Sequence, residues 1–290
     1  MSLRIVVAGG SGMIGSALVP YLKSLGHEVV LLKRNSEQHK GYMPLEALDG
    51  SDAIINLAGY SLLKKRWTKQ VREKIVSSRL TATQALSDAI RTLKKPPKLF
   101  ISASAAGYYG DCGDAKVTEE SPPGSGFLAA LCRDWEEEAL KAASSQTRVV
   151  CLRIGLVLTP EAGLLATLLP LFRLGLGGTL GSGKQYMSWI AMEDLLELIH
   201  FVLQHPELAG AVNATAPIPV TNKTFTDILA KAVHRPAWFS APSWLLRLVL
   251  GKIADEAILI GARVYPQKAI DAGFRFLYND LHKINFVRKK

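Results

Sequence analysis

Gly9-Gly10-Ser11-Gly12-Met13-Ile14-Gly15 follows directly on the apolar run Arg4-Ile5-Val6-Val7-Ala8. A helical-looking stretch, Ser16 to Leu22, comes next. Strand, glycine-rich turn and helix in that order make a phosphate cradle. Gly9 lets the chain turn sharply off the strand. Gly12, lacking Cβ, lets the backbone approach a pyrophosphate, and Gly15 lets the helix pack closely on the strand. The amides of Ser11, Met13, Ile14 and Gly15 then lie at the positive end of a helix dipole. The spacing is G-x-x-G-x-x-G rather than G-x-G-x-x-G. An ordinary turn is the alternative, but its place after the first strand points to a dinucleotide.

The second apolar strand, His27 to Leu32, ends in Lys33-Arg34-Asn35. An NAD site usually places Asp or Glu there to bond the ribose 2′-hydroxyl. Two cations instead suit a 2′-phosphate, which Arg grips with a planar fork and Lys with a point charge. Glu37 lies slightly downstream, and a solvated basic loop is the alternative. The expected cofactor is NADP(H).

Other residues stand out by position. Asp52 to Gly59 reads as a buried strand running into a small-residue turn at Leu57-Ala58-Gly59. Arg79 falls near the inward stripe of a helix from about Thr68 to Thr92, marked by Val71, Ile75, Ala82, Leu86 and Ile90. Arg153 sits near the end of the apolar strand Arg148 to Ile154. Charges are seldom buried without partners, and ligands bind at the carboxyl ends of parallel strands. Both arginines are candidates to reach cofactor phosphates or an anionic substrate; the alternative is an internal ion pair with Glu or Asp. Ser102 and Ser104 end the strand Lys98 to Ser104, with Tyr108-Tyr109-Gly110 just beyond. Ser104 is a candidate to orient a substrate oxygen and Tyr108 to donate a proton. Strand-end capping and aromatic packing are the alternatives.

The surrounding pattern fixes the class. Apolar strands alternate with helices up to Thr159, which predicts an α/β fold with a doubly wound, Rossmann-type parallel sheet. Residues 1–159 form the expected nucleotide-binding domain, with a segment near 188–215 returning to the sheet. Residues 160–187 and 216–290 form the expected small C-terminal substrate lobe, with helices over Thr221 to Val233, Pro242 to Leu250 and Ala254 to Val264. Lys184, Gln185, Ser188 and Trp189 follow a glycine-rich loop and are further substrate candidates; interlobe packing is the stronger reading for Trp189.

Of 290 residues, 48% are apolar and 21% charged, enough for a sizeable core. Met1 runs almost directly into the first strand, which leaves no room for a signal segment. The longest apolar stretches fall short of the roughly 20 residues of a membrane span. Cys112, Cys132 and Cys151 lack metal-type spacing and read as reduced thiols of a cytoplasmic protein. No metal is expected. The net charge of +10 raises nucleic acid or an anionic surface as partners. The cations are dispersed, however, apart from Lys64-Lys65-Arg66 and the terminal Arg288-Lys289-Lys290, and no nucleic-acid motif occurs. The expectation is a small-molecule substrate, with neither nucleic acid nor membrane as partner.

Together these tracts resemble the extended short-chain dehydrogenase/reductase superfamily, and within it a subfamily of epimerase-like proteins sometimes labelled nucleoside-diphosphate-sugar epimerases. The resemblance runs almost end to end. It takes in Gly9 to Gly15, Asn56 to Gly59, Ser78-Arg79, Ser102 to Ser104, Tyr108 to Gly110, Trp135-Glu136 and Arg153 to Gly155. It continues through Phe172 to Gly178, Ser188 to Ile190, Asn213 to Pro217 and His234 to Pro236. It implies NADP(H) contacts from Lys33, Arg34, Leu57, Ala58, Arg79 and Arg153, and it admits a homodimer. One departure matters: active members carry a Tyr-x-x-x-Lys pair whose lysine lowers the tyrosine's pKa. At the expected place this chain has Phe127-Leu128-Ala129-Ala130-Leu131. An NADP(H)-dependent oxidoreductase or epimerase-like protein with another proton donor is one reading. A catalytically impaired NADP(H)-binding sensor or scaffold is the other.

Overall fold

The computed structural model describes residues 2–34, 42–43, 45–62 and 66–286. Six parallel strands form its centre: β1 Arg4–Ala8, β2 Glu28–Arg34, β3 Ala53–Asn56, β4 Leu99–Ala105, β5 Arg148–Ile154 and β6 Gly210–Ala214. They lie in the order β6-β5-β4-β3-β1-β2, with Tyr42–Met43 pairing antiparallel outside β2. The chain starts in the middle of the sheet and winds both ways from the β1–β3 boundary. Loops leaving β1 and β3 therefore diverge, opening a crevice at their carboxyl ends.

Both faces of the sheet are covered, which is why β1 reads as an unbroken apolar run. Ile5 and Val7 turn to one side, against α1 (Met13–Ser24) through Leu18 and Leu22. Val6 and Ala8 turn to the other, against Leu86 and Ile90 of α2 (Lys69–Thr92) and Ala139 of α3 (Phe127–Leu140). The Thr68 hydroxyl caps α2 by accepting from the Val71 amide at 3.2 Å. Such a cap is worth about 1 kcal/mol.

Beyond β5 come α4 (Gly163–Arg173), α5 (Met192–Gln204), α6 (Asn222–Ala232), α7 (Ser243–Leu250) and α8 (Gln267–Asp271). α5 lies beside α1 on the first face of the sheet, so this helix joins the layer that covers that face. α4 and α6 close a separate core around Leu165, Leu169, Phe172, Trp189, Phe225 and Phe286. The helix expected over Ala254 to Val264 is shorter in the structure. One wide turn spans Ala254–Ile258, and Arg263–Val264 is extended, pairing with Lys116–Val117. Gly261 explains the break, since a Cβ there would lie 2.0 Å from the Tyr186 carbonyl oxygen.

Candidate functional site

The crevice is built by backbone. Gly9 has φ +80°, and a Cβ on it would lie 2.7 Å from both the carbonyl carbon and oxygen of Leu57. The turns after β1 and β3 are thus in van der Waals contact. A Cβ on Gly15 would lie 2.4 Å from the Gly9 carbonyl oxygen, so the helix sits directly on the turn. The Gly12 amide donates to that same oxygen at 3.0 Å. Gly12 is the N-cap of α1 and offers no side chain to cap it. The first intrahelical bond is Ser16 to Gly12, at 2.8 Å. The amides of Met13, Ile14 and Gly15 thus precede the helical ladder and are directed at an incoming anion. No acidic residue lies in the first turn to compete. Met13 also touches the second lobe: a Cβ on Gly163 would lie 2.9 Å from its sulfur.

The turn after β3 is held by a buried polar chain. Asn56 Nδ2 donates to Thr83 Oγ1 at 2.8 Å, and Asn56 Oδ1 accepts from the Ala58 amide at 3.2 Å. Trp135 Nε1 donates to the same Thr83 oxygen at 2.8 Å, tying α3 to α2. Arg79 leans into this turn. Its Nη1 donates to the carbonyls of Tyr60 and Ile75, each at 3.1 Å, and its guanidinium lies over the Trp135 ring at 5.2 Å. Burial holds its pKa below the ordinary arginine value. A Cβ on Gly59 would lie 3.2 Å from Cζ and Nη2, so the guanidinium rests against that glycine. Among the described residues no carboxylate pairs with Arg79. Among the described residues its Nε and Nη2 make no hydrogen bond.

The residues of β4 and β5 form a second, buried cluster. Ser104 and Arg153 are register partners across the two strands. Ser104 Oγ donates to Glu136 Oε1 at 2.6 Å. Arg153 reaches both oxygens of that carboxylate, from Nε and Nη2, at 2.8 Å each. Its Nη1 donates to the Tyr109 hydroxyl at 2.9 Å and to the Glu119 carbonyl at 3.3 Å. The Tyr109 hydroxyl donates onward to Asn213 Oδ1 at 2.7 Å. The guanidinium also sits 3.5 Å from the Tyr108 ring centroid. Burial opposes the charge on Arg153, but the hydrogen bonds and charge of Glu136 outweigh it and raise its pKa. Burial pushes the Tyr109 phenol up to about 12, against the pull of Arg153.

Of the expected site residues, Gly9, Ser11, Gly12, Met13, Ile14, Gly15, Leu57, Ala58, Gly59 and Arg79 are brought together at the crevice. The side chains of Lys33 and Arg34 lie outside the described residues, as does Glu37. Ser102 is buried inside the sheet, 3.5 Å from Asn56 Nδ2. Arg153 realises the internal ion pair, the alternative left open for it, and its donors face protein rather than the crevice. Ser104 likewise spends its proton on Glu136. Tyr108 is half-buried and edge-on to Tyr109. Gln185, Ser188 and Trp189 hold the second lobe together. Gln185 donates to Leu180 and Ile258, Ser188 to Ala262, and the fully buried Trp189 to Ile218.

Glu136 and Glu119 are the residues that sequence reasoning did not single out. Glu136 had a signal. It follows Leu128, Leu131, Cys132 and Trp135 on the buried stripe of α3, so an inward carboxylate was available for an inward arginine. Glu119 lies in an irregular segment with no period to betray it. Its Oε1 accepts from the amides of Asn213 and Lys268, while Oε2 is buried with no hydrogen-bond partner among the described residues. Burial raises its pKa.

The sheet order, the glycine turn at the switch point and the uncapped helix start define a Rossmann-type nucleotide-binding protein. Within that class, the chain belongs to the NAD dependent epimerase/dehydratase family, which residues 5–214 match. Residues 241–284 match a domain of unknown function, DUF1731. The chain is 42% identical over 286 residues to the epimerase family protein Mb2239 of Mycobacterium bovis, covering 96% of this chain and 94% of that one. It superposes on the crystal structure of human epimerase family protein SDR39U1 with NADPH at a TM-score of 0.89 and 33% identity, over 97% of each chain. A nucleoside-diphosphate sugar epimerase from Corynebacterium glutamicum aligns at a TM-score of 0.79 and 31% identity, over 97% of this chain and 57% of that one.

Proposed function

We propose that this protein binds NADP(H) in the β1–β3 crevice and acts as an oxidoreductase or epimerase-like enzyme on a small carbonyl or hydroxyl substrate. The observation that carries the proposal is the uncapped start of α1, preceded by a turn whose Gly9 is in backbone contact with the turn after β3, with Arg79 leaning into that second turn. In this reading Ser11 to Gly15 hold the pyrophosphate, Leu57 to Gly59 and Arg79 line the crevice, and Lys33 and Arg34 take the 2′-phosphate. The NADPH of the human relative supports that choice of cofactor.

Reducing a carbonyl requires a hydride on carbon and a proton on oxygen. The bound cofactor supplies the first. Tyr108 is the proposed source of the second, because the neighbouring Tyr109 hydroxyl is committed to Arg153 and Asn213. The Arg153 guanidinium, 3.5 Å from the Tyr108 ring centroid, holds that ring in place. Ser104 and Arg153 act in this reading as positioning residues.

The second reading is a sensor or scaffold that binds NADP(H) without turnover. Phe127 and Leu131 favour it, since both pack in an apolar cluster with Trp67, Val71, Ile75 and Ile253. Calorimetric titration of wild type and Arg34→Ala with NADPH and NADH tests the cofactor assignment. A preference for NADPH that collapses in the variant is expected, and no binding of either dinucleotide would overturn it. Substrate-dependent NADPH oxidation undiminished in Tyr108→Phe would remove Tyr108 from the chemistry. A partner captured only with cofactor bound, in the absence of any turnover, would establish the sensor.

A further inference from the structure

The second lobe carries most of the large hydrophobic side chains that the protein exposes. Trp238 is 88% exposed, Trp244 66% and Phe239 58%, with Leu174, Leu248 and Val249 at 60% or more. They form one face. Phe239 pairs with Gly178 in a parallel two-stranded sheet, a register that sets Trp238 beside Gly177 and the end of α4. Arg235 Nε donates to the Arg173 carbonyl at 3.2 Å and ties the same two segments together. α7 leaves that sheet at Pro242 and turns Leu246 inward. Trp244 and Leu248, four residues apart, share one outward face, and Val249 beside them is exposed too.

Charge says what covers this face. Arg173 and Lys184 flank the first segment, and Lys231, Arg235, Arg247 and Lys252 run through the second. Residues 171–184 and 231–252 contain no Asp or Glu. Among the described residues, Arg247 is the one of these cations in an ion pair, with Asp255 at 2.8 Å from outside the stretch. A two-fold contact with a second copy would set this cationic face against itself. Indole rings, aliphatic side chains and unmatched cations are the composition that seats a helix in a bilayer interface. None of the described helices is long and apolar enough to cross a membrane, so the contact is with its surface.

We propose that the face formed by Trp238, Phe239 and the outer side of α7 docks on an anionic lipid surface. The indoles enter the interface, and Lys231, Arg235 and Lys252 meet the lipid phosphates and carboxylates.

Cosedimentation of the full chain with phosphatidylcholine vesicles, with and without phosphatidylserine, tests the proposal, with indole fluorescence as the second readout. Retention with a blue shift is expected on the anionic vesicles alone, fading as salt rises. Trp238→Ala with Trp244→Ala should abolish it, and Lys231→Gln with Lys252→Gln should weaken it about tenfold or more. NADPH affinity and the thermal midpoint of these surface variants should match wild type. Three results would overturn the proposal. These are no retention on either vesicle, retention that survives loss of both indoles, and a dimer that the indole variant dissociates without any lipid binding.

Discussion

Arg153 and Glu136 meet in a two-pronged ion pair, both prongs 2.8 Å long, with side chains 4% and 8% exposed. It joins β5 to α3, and it is the reason neither charge is free for a ligand. Removing one partner leaves the other buried and uncompensated, at a cost of about 3–5 kcal/mol. Glu136→Ala should therefore lower the urea unfolding free energy by an amount in that range. Glu136→Gln keeps an acceptor and should cost less. A Glu136→Ala variant as stable as wild type would show that water rescues the guanidinium.

The phenol of Tyr109 makes stability fall in alkali. Its folded pKa, about 12, lies above the ordinary value of 10.0. The folded state thus holds the proton more tightly, and stability is complete below pH 10.0 and declines as pH rises toward 12. The loss amounts to about 2–3 kcal/mol. Tyr109→Phe has nothing to ionise there. The difference in unfolding free energy between wild type and variant, followed from pH 9 to 12, should shrink by about that amount. A difference that stays constant with pH would assign the alkaline loss to other groups.

The thiols should react in a fixed order. Cys132 and Cys151 are buried, and burial raises both pKa values, that of Cys132 to about 12. Neither thiol forms enough thiolate at neutral pH to attack a reagent. Cys112 is only half-buried, though its pKa is raised too. Titration of the native protein with a disulfide reagent should modify Cys112 slowly and the other two only in denaturant. Rapid reaction of all three would mean that α3 and β5 separate readily.

The fold was legible because its signals are local. β1 is an apolar run ended by glycines, and α2 carries its stripe from Val71 to Ile90. The cradle at Gly9 to Gly15 was legible for the same reason, its geometry being set by glycine spacing. What the sequence left open was pairwise and distant. An arginine near a strand end fits a phosphate or a carboxylate equally well, and only packing α3 on β5 brings Glu136 to Arg153 across 17 residues. Glu256 illustrates the same limit: its Oε2 accepts from the Phe127 amide at 2.9 Å, 129 residues away, capping α3 from the second lobe. The turn over Ala254–Ile258 was expected to be a longer helix because its apolar pattern carries no record of Tyr186 crowding Gly261.

Gly9 and Gly26 separate the two things a glycine can do. Both have positive φ, +80° and +83°. A Cβ on Gly26 would meet nothing within 4 Å, whereas one on Gly9 would overlap the backbone of Leu57 and Ala58 at 2.7–2.8 Å. Gly26→Ala thus bears only the left-handed conformation, about 1–2 kcal/mol. Gly9→Ala bears that and a backbone clash that no rotamer can relieve, so it should cost at least about twice as much. It should also push the turns after β1 and β3 apart, and NADPH affinity should drop even at temperatures where the variant remains folded. Gly26→Ala, on the far side of α1, should bind NADPH as wild type does. Equal loss of affinity in both variants would mean that the contact between Gly9 and Leu57 does not shape the crevice.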